Sequence, residues 1–184
     1  MKFIVFFLAL LPSTGFPEPV APIDLKNVIS AVGPSWNTAG NYKAVLVREG
    51  EYAALYIFRG PFDEEPLVYA PYAAITGPYW GMVPWLEFDE GGTLLIHSEN
   101  RAFGRHKWES TLSINERNGA FFVSAYSLSS YDSLDPDSFT DCNIDILAQK
   151  AVLNTIDITP YPLPADVLIE DWSEVMEAVC YAAD

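Results

Sequence analysis

Asn118-Gly119 stands between two runs of alternating polarity, and it restricts the folding of this chain more tightly than any other feature. Asn-Gly supplies the two consecutive positive-φ positions of a type I′ turn, so residues 107–115 and 120–127 are predicted to fold back on each other as an antiparallel hairpin. In the first run Trp108, Ser110, Leu112 and Ile114 share one face. Lys107, Glu109, Thr111, Ser113 and Asn115 share the other. That is the pattern of a strand with one buried and one solvated face.

The same logic repeats along the chain. Residues 42–48 and 52–58 flank Glu49-Gly50-Glu51, and residues 83–88 and 93–97 flank Asp89-Glu90-Gly91-Gly92. Both read as hairpins. Shorter strands are expected at 67–70, 142–147 and 151–158. Residues 71–80, rich in Pro, Gly and Tyr, read as an ordered loop, and 128–141 as a polar loop. Leu25, Val28, Ile29 and Val32 recur at helical spacing, with Asp24 as a cap and Gly33-Pro34 as a stop. A short helix is therefore predicted over 24–32. A second is predicted over 171–182, capped by Asp171 or Ser173, with Val175, Met176 and Val179 on one face. The expected fold is mainly β, an antiparallel, sandwich-like domain with short N-terminal and C-terminal helices.

The first residues carry an address. Lys2 precedes the apolar run 3–11, Pro12 breaks it, and Ser13-Thr14-Gly15 provides a small-residue exit. Residues 1–15 are read as a secretory signal peptide. Residues 16–41 form a leader containing Pro17, Pro19 and Pro22 and the short helix, and 42–184 a single β-rich domain. No later stretch is apolar enough to span a bilayer. A periplasmic or secreted protein is expected, and in an oxidising compartment its two cysteines, Cys142 and Cys180, have one intramolecular pairing. With 10 Lys and Arg against 25 Asp and Glu, the formal charge is −15. Nucleic acid and anionic membrane surfaces are poor partners for such a chain, because both require clustered cations. The partner expected is an envelope or extracellular protein, or a glycan.

Candidate chemistry is sparse. His97 and Glu99 are two residues apart and share a strand face, so an acid–base pair is conceivable. A secreted hydrolase using His97 with Glu99 or a loop aspartate is the alternative function. No Gly-x-Ser-x-Gly, phosphate-loop or zinc-type spacing accompanies them. The binding candidate is Arg105 with Trp108 and Glu109, the guanidinium being read first as a clamp on Glu99 and Glu109. Tyr72, Tyr79, Trp80 and Trp85 could stack on sugar rings, although a core role is the commoner use of such aromatics. Asp132, Asp135, Asp137 and Asp141 fall within one short segment. They fit Asx-turns, the favoured reading, or a calcium site completed by carbonyls and water. No other cofactor is implied.

Residues 98–172 resemble a group of uncharacterised secreted bacterial proteins, loosely FG-GAP/VCBS-like. The resemblance rests on Ser98-Glu99-Asn100, Gly104-Arg105, Trp108-Glu109, Leu112-Ser113-Ile114, Gly119, Tyr131-Asp132, Leu134-Asp135-Pro136-Asp137, Cys142 and Asp171-Trp172. It implies export and a β-rich fold, and no particular reaction. The acidic loop often found in FG-GAP segments is replaced here by Arg48-Glu49-Gly50-Glu51-Tyr52, which has fewer oxygen ligands.

Overall fold

The computed structural model describes residues 23–33, 42–59, 65–77, 82–158, 163–172 and 180. The expected signal peptide, Tyr79, Trp80 and most of the expected C-terminal helix lie outside the described residues. The chain forms two antiparallel sheets with minimal helix, as the alternating pattern predicts.

The smaller sheet has the order β1 (Val28–Val32), β2 (Tyr42–Glu49), β3 (Tyr52–Arg59), β4 (Val68–Ile75). The larger sheet contains β5 (Trp85–Phe88), β6 (Leu94–Asn100), β7 (His106–Arg117), β8 (Ala120–Asp132), β9 (Asp135–Asp145), β10 (Lys150–Leu153) and β11 (Ile156–Asp157), each paired with its sequence neighbour. All pairings are antiparallel neighbours in sequence, so short turns suffice to connect them. Asn118 and Gly119 take φ of 57° and 83°, as the turn chemistry requires.

One apolar core lies between the sheets. Ala44, Leu46, Leu55 and Ile57 contribute from the small sheet, and Leu94, Ile96, Ile114, Phe121, Val123 and Ile144 from the large one. Phe121 meets Tyr42 edge-on at 5.1 Å across that core. Two polar contacts tie the sheets together where they approach. The Leu86 N–H donates to Ser30 Oγ at 3.1 Å, and the Ser98 hydroxyl donates to the Ile75 carbonyl at 2.6 Å. The outer face of the small sheet is apolar too, with Val45, Val47, Ala54 and Tyr56 buried there.

Three local expectations are corrected. The predicted helix over 24–32 is a single 3-10 turn, Leu25–Asn27, followed by β1. Asp24 does cap that turn, accepting from the Lys26 N–H at 3.0 Å. The β-branched Val28 and Val32 then pair with β2, with Ile29 at a bulge between Val28 and Ser30, and the open edge of β2 outcompetes a helix too short to stand alone. The strand expected at 67–70 continues through Pro71 to Ile75. A register irregularity opposite Ala53 and Leu55 accommodates Pro71, and Tyr72 adopts φ of 62° there. Residues 128–141 are not a polar loop. They are the ends of β8 and β9, joined by Ser133-Leu134. Their Ser and Asp residues are tolerated because one sheet face is solvated, while Tyr126, Leu128 and Cys142 keep the buried alternation.

Cys142 and Cys180 form a disulfide with Cα atoms 5.9 Å apart, and both residues are buried. The segment before Cys180 also docks on the large sheet. Val123 N–H donates to the Val167 carbonyl at 2.9 Å, and the Trp172 ring packs on Tyr126 at 5.2 Å. No helix among the described residues is long and apolar enough to cross a membrane.

Candidate functional site

β7, β8 and β9 are 12, 13 and 11 residues long, against 8 for β2, β3 and β4. The inner face of the large sheet therefore runs past the small one. A cleft of about 540 Å³ opens there, between the end of β4 at Ile75, the strands β7 to β10, and Cys180. Register determines its lining. Trp108 stands opposite Ser130, and Ser130 opposite Thr140, giving one row across three strands. Ser110, Leu128, Cys142 and Leu153 form the next row. The aromatic rings of Trp108 and Tyr126 thus share a wall with the hydroxyls of Ser110, Ser130 and Thr140.

The short connection 101–105 and the turn Ser133-Leu134 adjoin His106 and Asp132, which line the cleft. Asn100 organises the connection, accepting from the Phe103 N–H at 3.1 Å and donating to the carbonyls of Phe103 and His106 at 3.0 Å each. The Ser133 N–H donates to the Arg105 carbonyl at 2.9 Å, joining the two turns. Arg105 then closes on Asp132, with Nε 2.7 Å from Oδ2 and a second, shorter contact from the same guanidinium. Asp132 is 4% exposed and also accepts from the Leu134 N–H at 3.0 Å. The guanidinium and that N–H hold its carboxyl below the usual aspartate value.

The predicted site residues divide between two places. Trp108 and Asp132 belong to the cleft. Arg105 is a clamp, but its partner is Asp132. The neighbouring Arg101 is the residue that joins Glu99, at 2.9 Å, to Glu109, at 2.5 Å. His97 and Glu99 do not meet as an acid–base pair. His97 lies on the outer face of the large sheet, stacked on Trp85 at 4.8 Å. Its Nδ1 is 3.0 Å from Thr111 Oγ1 and its Nε2 is 3.1 Å from Glu87 Oε1. A carboxylate, an imidazole and a hydroxyl are thus in line.

The four aspartates do not converge. Asp135 to Asp141 is a run of extended strand, about 20 Å long at the usual rise. Asp132 faces Arg105, while Asp141 accepts from Asn143 Nδ2 at 2.8 Å. Among the described residues no group of three or more His, Cys, Asp or Glu side chains is placed to hold a metal ion. Of the predicted aromatic group, Trp85 stacks on His97 and Tyr72 meets Tyr52 edge-on at 5.0 Å.

Sequence reasoning missed Glu87, Tyr126, Ser130 and Thr140. Ser130 and Thr140 lay in the segment read as loop, which has no register, while Glu87 and Tyr126 lay in segments read as strands whose partners across the sheet only the register supplies. The fold is a two-sheet antiparallel β domain with a cleft at one end. No family model, curated protein or solved structure matches the chain.

Proposed function

We propose that this protein is an exported binding module, periplasmic or secreted, that captures an envelope or extracellular component in the cleft at the long end of the large sheet. The observation that carries the reading is the cleft itself. It is concave, it mixes aromatic rings with hydroxyls, and its lining residues Asp132 and His106 are held by Arg105 and Asn100. Such preorganised concavities are where small ligands bind. Export is supported by the signal-like sequence of residues 1–15 and by the disulfide, which persists in oxidising compartments. The hydrolase alternative is weaker, because Glu99 is engaged by Arg101 and His97 lies on the sheet face opposite the cleft.

Saturable retention of purified protein 16–184 on washed envelope material, with displacement by excess unlabelled protein, is the expected result. His97→Ala should bind as well as wild type. Retention that never saturates would overturn the reading.

A further inference from the structure

We propose that the ligand of this cleft is an uncharged saccharide, with one pyranose ring lying against Trp108 and its hydroxyls bonded by Ser130 and Thr140. The inference rests on the binding-module reading and names the ligand class of the same site.

Three features point to this class. The first is the row Trp108–Ser130–Thr140, in which neighbouring strands lie about 5 Å apart. An aromatic face followed by two hydroxyls at that interval matches a sugar ring, whose C–H face is apolar and whose rim is polar. The second is that Ser110, Ser130 and Thr140 line the cleft without a side-chain hydrogen bond to any described residue. An aliphatic ligand would cover them and leave them unpaired, which is unfavourable. A polyhydroxylated ligand satisfies them. The third is charge. The chain carries −15, and Asp135 and Asp137 are exposed in β9 beside the cleft mouth. That field opposes an anionic polymer. Among the described residues Asp132 is the one carboxylate lining the cleft, and it is already engaged by Arg105 rather than left to face a cationic ligand. Lys107 and Asn154 at the rim supply further polar groups.

The test is isothermal titration of the 16–184 protein against neutral oligosaccharides, namely cellohexaose, maltohexaose and chitohexaose. At least one should bind, with an affinity unchanged between low and high salt because the ligand carries no charge. Trp108→Ala should weaken binding about tenfold or more, the loss expected when a stacked ring is removed. Thr140→Val keeps the shape and removes only the hydroxyl. It should weaken binding several-fold while leaving the melting temperature near that of wild type, so a folding defect in Trp108→Ala cannot imitate the result. If no neutral oligosaccharide binds while envelope retention stays saturable, the saccharide assignment fails and the binding-module reading stands. Saccharide binding that both variants leave intact would remove the cleft from the role.

Discussion

Asp132 shows what a single carboxylate can do at the end of a sandwich. It is buried, it receives Arg105, and it caps the turn that follows. Its carboxyl is held below the ordinary value of 3.8, so it favours the folded state wherever an unfolded aspartate would also be charged. That contribution is complete above the ordinary value and is lost as pH falls below it. Asp132→Asn should therefore lower the melting temperature at neutral pH and narrow the gap to wild type in acid; an equal gap at both would contradict this assignment. At the alkaline end the sign is reversed. Glu49 accepts from both Tyr56, at 2.8 Å, and Tyr69, at 2.9 Å. Burial first, and then that shared hydrogen bond, raises both phenols, Tyr69 to about 12. A raised phenol stabilises the fold fully below its unfolded value of 10.0, and the effect disappears as pH rises toward about 12. In Glu49→Gln the late-titrating phenols should ionise earlier by ultraviolet absorbance, and a stability deficit at neutral pH should close as pH rises toward about 12. Arg101, by contrast, spans Glu99 and Glu109 in the open, and exposed pairs contribute little.

At the scale of elements, the β7–β8 hairpin is the most legible piece of the chain. Its turn glycine holds φ of 83°, a conformation that an L side chain enters at a cost of about 1–2 kcal/mol. Gly119→Ala should lower stability by roughly that amount in a urea titration, with the slope of the transition unchanged. The turn alone does not deliver the cleft, however. Counted back from the Arg117–Ala120 pair, Trp108 would fall opposite Ser129, a residue of the outer face. An irregularity between Ser113 and Ile114 shifts the register by one, so that Trp108 meets Ser130 instead. A one-residue shift exchanges every facing side chain, and nothing in the residues around Ser113 announces it. The alternation of Leu112 and Ile114 made the strand face readable. The serines and aspartates of residues 128–141 concealed two strand ends, because turn-forming residues also suit a solvated sheet face. Val28, Ile29 and Val32 misled in the other direction. Their spacing fits a helix, and only the presence of β2 alongside converts them to a strand.

At the scale of the whole molecule, the disulfide joins the large sheet to the segment that borders the cleft. Closing a 38-residue span stabilises the folded chain by about 4 kcal/mol in the loop-entropy account. Reduction, or the paired Cys142→Ala and Cys180→Ala variant, should lower the melting temperature by on the order of 10 °C. Intact mass after alkylation without reduction should show no modified thiol. The same bond has a mechanical consequence. A protein stretched from its ends lengthens only along the covalent path that force can follow, and here that path crosses the bridge. The residues between Cys142 and Cys180 are shielded from tension, a hidden length of roughly 130 Å at full extension. Single-molecule pulling should release that length in reducing buffer and withhold it in oxidising buffer. Under load, β10 and β11 lie inside the sheltered span, whereas β8 and the part of β9 before Cys142 stay on the path that bears the force.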